Sequence, residues 1–251
     1  YEAVAVPPEA DFRAKLEELR DQGFAGVNVT IPHKEAAFAA VDRKESAAAR
    51  LGAVNTISLA SDTISGHNTD GRGFIDSLSS TRDWASGPAL VLGAGGASRA
   101  IVCALLDAGI SDIRVSNRTR ARAEAVVALA DTPDNSGAVR VFDWDARAQA
   151  GEDATLLVNT TSLGMQGAPP LDMPLDTLAA TQAVKATVAD IVYVPLQTDL
   201  LARAAQRGLT PVNGLGMLVH QAAHAFDLWF GQRPDFDSVL RDRLIRDLGE
   251  T

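Results

Sequence analysis

The sequence predicts an α/β protein of two α/β domains, a discontinuous one and a doubly wound, Rossmann-like one. Three observations carry this. Strands alternate with helices along most of the chain, and 251 residues suffice for one large or two ordinary domains. Ala89-Leu90-Val91-Leu92 is a continuous apolar run, as expected of a strand buried on both faces of a parallel sheet. That run leads straight into Gly93-Ala94-Gly95-Gly96 and a helix, the strand-turn-helix order of a nucleotide-binding βα unit.

Taken in order, residues 3–6 read as an opening strand, 10–22 as an amphipathic helix and 26–30 as a short strand stopped by Pro32, whose ring fixes φ and removes a donor. A second helix is expected over 35–51. Two short strands follow at 53–59 and 63–67, joined through Ser61-Asp62. Asp70 is a good N-cap for a helix over 71–78. The composition changes at Trp84-Ala85-Ser86-Gly87-Pro88, and the second domain starts with the apolar strand. A helix over 97–108, a strand at 113–117 and a helix over 121–130 come next, with further strands at 138–142, 156–159, 188–192 and 209–212. The chain closes with a helix at 215–230, apolar around most of its circumference, and an amphipathic one at 238–248.

Composition narrows the function classes. Hydrophobic residues at 46% and charged ones at 22% are ordinary for a globular protein and far from disordered or fibrous chains. A formal net charge of −9 repels nucleic-acid backbones and anionic membrane surfaces, so neither is an expected partner, and an anionic ligand must be met by local cations. No apolar run approaches the roughly 20 residues that span a bilayer, and a cytoplasmic location is expected. Cys103 is the single cysteine, in an apolar helical run, which excludes an intrachain disulfide and reads as a core thiol. His220 and His224 have the i, i+4 spacing of helical zinc proteases, but Gln221 stands where a glutamate base is required, so no metal is expected. Trp144, Trp229 and Phe230 read as packing residues, since no basic stripe accompanies them.

The glycine turn is the first candidate site. Gly93 permits the tight turn, Gly95 lets backbone approach a pyrophosphate, and the helix N-terminus supplies free N–H donors; Ser98 replaces the usual third glycine. The end of the next strand selects the nucleotide. An NAD site places an acid there for the ribose 2′-OH, whereas Asn117-Arg118-Thr119-Arg120-Ala121-Arg122 offers arginines and neutral donors, with no acid until Glu124. NADP(H) is the cofactor this favours. Outside this region lies a polar cluster: Asn28 to Lys34, Asn55, and Asn68-Thr69-Asp70-Gly71. Taken singly, Lys34 reads as a surface ammonium and Asp70 as a helix cap.

Taken together, these stretches resemble a family. Asn28-Val29-Thr30-Ile31-Pro32-His33-Lys34, Asn55-Thr56, Asn68-Thr69-Asp70-Gly71, Gly93-Ala94-Gly95-Gly96-Ala97, Asn117-Arg118-Thr119, Asn159-Thr160-Thr161-Ser162-Leu163-Gly164-Met165 and Gly214-Leu215-Gly216-Met217-Leu218-Val219-His220-Gln221 look like the ordered signatures of shikimate 5-dehydrogenase. The resemblance covers nearly the whole chain. It implies the reversible, NADPH-dependent reduction of 3-dehydroshikimate to shikimate, a step of aromatic amino acid biosynthesis. It implies Lys34 and Asp70 as the catalytic pair and Thr30, Asn55, Tyr193 and Gln221 as substrate contacts. Cofactor contacts map onto Gly93, Ala94, Gly95, Gly96, Ala97, Asn117, Arg118, Thr119, Arg122, Ile191 and Gly214. A substrate domain of 1–69 with 215–251 and a nucleotide domain of 70–214 follow, with hinges near Asp70 and Gly214.

The chemistry suits these side chains. A ketone that gains hydride needs a proton in step, so a positioned acid is required; Lys34 would give it, with Asp70 as partner. The family's opening strand and helix, with a Ser-x-Ser motif for the substrate carboxylate, is missing here. The expectation is a natural chain that is longer at this end, or a shortened relative with weakened substrate binding and an open sheet edge. Two other readings stay open: a quinate or aminoshikimate dehydrogenase on the same fold, and a catalytically silent NADP-binding regulatory protein. The small-molecule substrate is the expected partner, to a monomer or homodimer.

Overall fold

The computed structural model describes all residues except Ile31, Ser80, Asp83, Asp131, Pro133, Asp134, Gln182, Ala183, Glu250 and Thr251. Ile31, part of the first polar signature, is thus outside the described residues. The chain forms two compact units, Tyr1–Asp70 with Ala222–Pro234, and Gly71–Gln221 with Asp235–Thr251. Residues 215–221 and 235–251 therefore group with the second unit, where the sequence reading put all of 215–251 with the first.

The first unit contains α1 (Phe12–Asp21), β1 (Gly26–Asn28), α2 (Lys34–Ala40), β2 (Arg43–Lys44), α3 (Ser46–Leu51), β3 (Thr56–Ser58) and β4 (Ser65–His67). The strands form a sheet in the order β1-β3-β4-β2, with β3 antiparallel to both neighbours and β2 parallel to β4. Asp11 caps α1 by accepting from the Ala14 N–H, and Leu16 and Leu19 bury its apolar face with Val41, Val54, Ile57 and Ile64. Trp229 adds a long-range tie, its Nε1 donating to the Ile57 carbonyl at 2.9 Å.

Two expectations fail in this unit. The single helix over 35–51 is broken into α2 and α3. Val41 leaves the helix at φ −84°, ψ 148°, and the backbone N–H groups of Asp42 and Arg43 both donate to the Ile64 carbonyl, while Asp42 accepts from the Ile64 N–H and from Arg13. These partners are distant in sequence, so local helix propensity loses to tertiary pairing. Residues 3–6 form no strand, and Val4 is exposed. Val4 and Val6 supply β propensity, but a strand also needs a partner ladder, and no described residue supplies one.

The second unit opens with α4 (Asp70–Ser77), whose first residue still groups with the first unit, followed by β5 (Ala89–Leu92), α5 (Gly96–Asp107), β6 (Ile113–Ser116), α6 (Arg120–Ala130) and β7 (Val139–Phe142). A 3-10 turn at Trp144–Ala146 runs into the short α7 (Arg147–Ala150). Then come β8 (Leu156–Asn159), β9 (Thr187–Asp190), α8 (Asp199–Gln206), β10 (Thr210–Val212), α9 (Gly214–Phe230), whose residues from Ala222 on group with the first unit, and α10 (Ser238–Asp247). All six strands are parallel, in the order β10-β9-β8-β5-β6-β7. This is the doubly wound arrangement, and its direction reverses between β5 and β8. β5 and β8 are buried along their whole length, with one apolar cluster on each face of the sheet. The sequence reading missed α8 and the turn at Trp144, both too short to show a sustained helical period. Among the described residues no helix is long and apolar enough to cross a membrane.

Candidate functional site

In the first unit the polar signatures converge on Asp70. Its Oδ2 accepts from Lys34 Nζ at 2.5 Å, and its Oδ1 accepts from Asn55 Nδ2 at 2.8 Å. Lys34 begins α2, and its carbonyl accepts from the Val54 N–H, so the lysine is fastened to the segment that leads into β3. Asp70 sits at the start of α4, where its N–H donates to Asn68 Oδ1 at 3.1 Å. The carboxylate side chain is 6% exposed and the lysine 25% exposed, so the ion pair is a buried anion with a partly open cation. The bond to Asp70 uses one of three ammonium donors, leaving the group able to donate elsewhere.

Asn55 is buried and fully engaged. Besides Asp70, its Nδ2 donates to Thr69 Oγ1 at 3.1 Å, and its Oδ1 accepts from the Thr69 N–H at 2.9 Å and from Thr56 Oγ1 at 3.0 Å. In this structure Asn55 therefore holds Asp70 in place. Thr30 is exposed just before α2 and its carbonyl accepts from the His33 N–H. The remaining two expected substrate residues belong to the second unit: Tyr193 is exposed in the loop after β9, and Gln221 is half-buried on α9.

A pocket lies in the second unit where the sheet order reverses. Its cavity of about 170 Å³ is walled by Gly93, Ala94 and Gly95 on one side and by Asn117, Arg118 and Arg122 on another. Gly93 has φ +110°, and a Cβ there would lie 2.4 Å from Thr160 Oγ1, so a side chain fits neither the backbone nor the space. A Cβ on Gly95 or Gly96 would meet nothing within 4 Å, which leaves the start of α5 open to a ligand. Gly95 caps α5 without a side-chain bond, so the first N–H groups of the helix have no side-chain acceptor there. Ser98, in place of the third glycine, is fully buried and donates its hydroxyl to the Gly93 carbonyl at 2.8 Å, which closes the turn from within.

Among the described residues no carboxylate lines this pocket, and Arg118 and Arg122 are both exposed at its wall. Arg120 is committed elsewhere, to Glu124 at 2.9 Å and Asp143 at 2.6 Å. A cavity with an open helix N-terminus, two exposed guanidiniums and no acid fits a dinucleotide that carries an extra phosphate. Gly96, Ala97, Thr119, Ile191 and Gly214 lie outside the wall of this pocket. Gly214 instead packs so closely on the Ile191 backbone that a Cβ would fall 2.2 Å from its carbonyl oxygen.

The wall also contains residues to which the sequence reading gave no site role: Thr160 to Leu163 and Trp144. Trp144 packs against the apolar cluster on one face of the sheet, as the sequence reading has it, and also lines this pocket, a role that reading does not give it. The register explains both. Asn159 pairs with Leu92 and Phe142 with Ser116, so the segments after β8 and β7 emerge beside the glycine turn and the arginines. Beside Asn159, at the end of β9, sits Asp190, which accepts from Asn159 Nδ2 at 3.0 Å, the Val192 N–H at 3.1 Å and Thr198 Oγ1 at 2.8 Å. Burial nevertheless pushes its carboxyl above the ordinary carboxylate value.

Comparison with known proteins points to one family over most of the chain. The family model of the shikimate dehydrogenase substrate binding domain matches residues 1–57, that of shikimate/quinate 5-dehydrogenase matches 77–148, and that of the shikimate 5′-dehydrogenase C-terminal domain matches 214–241. The shikimate dehydrogenase (NADP(+)) of Paramagnetospirillum magneticum is 50% identical over 245 residues, covering 96% of this chain and 85% of that protein. Among solved structures, quinate dehydrogenase from Corynebacterium glutamicum in complex with NAD aligns with TM-score 0.86 at 29% identity, over 97% of this chain and 85% of that one. Shikimate 5-dehydrogenase from Thermus thermophilus in complex with NADP(H) and shikimate aligns with TM-score 0.78 at 38% identity, over 92% and 81%.

Proposed function

Because the chain belongs to the shikimate dehydrogenase family, NADP-dependent oxidoreductases acting on a CH–OH group, we propose that Lys34 and Asp70 are its catalytic pair in the reversible reduction of 3-dehydroshikimate to shikimate. The observation that carries this reading is the 2.5 Å bond between a partly open ammonium and a buried carboxylate that Asn55 holds from its other side. The unit containing this pair binds the substrate, and the unit built on the parallel sheet binds the nucleotide.

When bound, NADPH supplies the hydride that reduces the ketone carbon. Lys34 gives a proton to the ketone oxygen as the C–H bond forms, so the product leaves as a neutral alcohol, and takes that proton back in the reverse direction. Asp70 aims the ammonium and accepts a hydrogen bond from a ring hydroxyl. Asn55, Thr30, Tyr193 and Gln221 supply the neutral polar groups that a polyhydroxylated ring requires. Gly93 to Ala97 and the N-terminus of α5 receive the pyrophosphate, Asn117, Arg118, Thr119 and Arg122 receive the 2′-phosphate, and Ile191 and Gly214 complete the cofactor contacts.

The test is a set of initial rates with shikimate, quinate and aminoshikimate, each with NADP+ and NAD+, on wild type and Lys34→Ala. Shikimate with NADP+ should give the highest kcat/KM. The lysine variant should lose about 10²- to 10⁴-fold in kcat, with an unchanged Kd for NADP+. Undiminished turnover in Lys34→Ala overturns the assignment of the pair. Higher kcat/KM with quinate makes the chain a paralogue on the same fold.

A further inference from the structure

We propose that Trp144 is the platform on which the purine base of the dinucleotide stacks, an inference that rests on the nucleotide reading of the pocket in the second unit. Trp144 lines the same cavity as the glycine turn and Arg118 and Arg122. Strand order places it at the far end of a row. β5 ends in the turn that meets the pyrophosphate, β6 ends in the arginines that meet the ribose phosphate, and β7, in register with β6, ends at Phe142, directly before Asp143 and Trp144. A dinucleotide laid along strand ends in that order reaches the β7 end with its base.

The indole is also held for such a role. Arg147 lies over its ring, 5.1 Å from the centroid, and donates from Nη1 to the Trp144 carbonyl at 2.9 Å. Arg147 is itself anchored by donating from Nε to the Asp172 carbonyl at 2.8 Å, and it does not line the cavity. On the other side of the turn, Arg120 binds Asp143 at 2.6 Å, and Ser116 Oγ donates to the Asp143 carbonyl at 3.3 Å. The backbone before and after the ring is therefore pinned before any ligand arrives, so little ordering is left to oppose binding. A half-buried aromatic ring with polarising guanidinium contact and an adjacent phosphate-binding end is what a purine requires, since base stacking needs only a π face.

The test uses 2′,5′-ADP, which carries the purine, the 2′-phosphate and a 5′-phosphate, and nicotinamide mononucleotide, which lacks the purine and the 2′-phosphate, binding to wild type, Trp144→Phe and Trp144→Leu by calorimetry. Loss of the π face in Trp144→Leu should weaken 2′,5′-ADP about tenfold, while Trp144→Phe stays within about threefold of wild type. Nicotinamide mononucleotide should be unaffected by either change, and the fluorescence change that 2′,5′-ADP produces in wild type should vanish in both variants. Equal 2′,5′-ADP affinity in wild type and Trp144→Leu overturns the platform and leaves the nucleotide reading intact. Failure of wild type to bind 2′,5′-ADP overturns both. Should Trp144→Leu melt at a lower temperature, the comparison of Trp144→Phe with wild type in the fluorescence titration still decides: a change of undiminished size in Trp144→Phe refutes contact between base and indole.

Discussion

Asp190 offers a prediction whose size can be worked from its bonds. In Asp190→Ala, Asn159 Nδ2 keeps its bond to the Leu163 carbonyl at 3.0 Å, but the Val192 N–H and the Thr198 hydroxyl lose the carboxylate that accepts them. Both residues are almost fully buried, at 3% and 1% exposure, so water does not replace the lost acceptor. An orphaned buried donor costs about 1–3 kcal/mol, which gives about 2–6 kcal/mol for the pair, less whatever is recovered by no longer burying a charge. A net loss of about 2–4 kcal/mol at neutral pH is expected. Asp190→Asn retains one acceptor oxygen for Asn159 and Val192, and the Thr198 hydroxyl can turn to accept from the new amide, so its loss should be about 1 kcal/mol or less.

The two variants also differ in their pH dependence. Burial raises the native pKa of Asp190 above its unfolded value, so the folded protein holds this proton after the unfolded chain has released it. The associated stability is fully present below the unfolded pKa and is lost as pH rises through the native one. Wild-type stability measured relative to Asp190→Asn should therefore decline from about pH 4 upward and then level off. Urea unfolding followed by tryptophan fluorescence measures it. A difference that is flat or rises with pH, or an alanine variant as stable as wild type, would refute the reasoning. Because Asn159 also fixes Thr161, whose N–H and hydroxyl both donate to Asn159 Oδ1, the alanine variant should bind NADP+ more weakly and the asparagine variant should restore the affinity.

Two further outcomes are expected. Arg118→Gln and Arg122→Gln should each raise the KM for NADP+ about tenfold or more while leaving that for NAD+ within about twofold, because in the proposed site each removes a charge-assisted contact to the 2′-phosphate alone; equal losses with the two nucleotides in steady-state assays would remove the arginines from that role. Gly93→Ala places a Cβ 2.4 Å from Thr160 Oγ1 at φ +110°, so it should destabilise the protein by about 1–3 kcal/mol and weaken NADP+ binding, as read by a thermal shift with and without nucleotide.

Much of the nucleotide unit is legible in the chain itself. The apolar run at Ala89–Leu92, the glycines after it and the arginines after the next strand are local patterns, and each depends on neighbours a few residues away. The order of the polar signatures likewise singles out Lys34, Asn55 and Asp70. Their contact does not follow from sequence, since the lysine and carboxylate are brought within hydrogen-bond reach only by the packing of α2 against the segments that flank β3 and β4.

The parts that needed coordinates are those governed by long-range pairing. The break at Val41 is made by the Ile64 backbone, and residues 3–6 lack a ladder despite suitable side chains. Trp144 resembles any packing aromatic until strand register sets the end of β7 beside that of β6. Sequence determined which groups exist and their local conformations, because propensity and steric limits act within a few residues. Only the tertiary structure decided which of them meet, because sheet order and burial join positions whose separation along the chain carries no local trace.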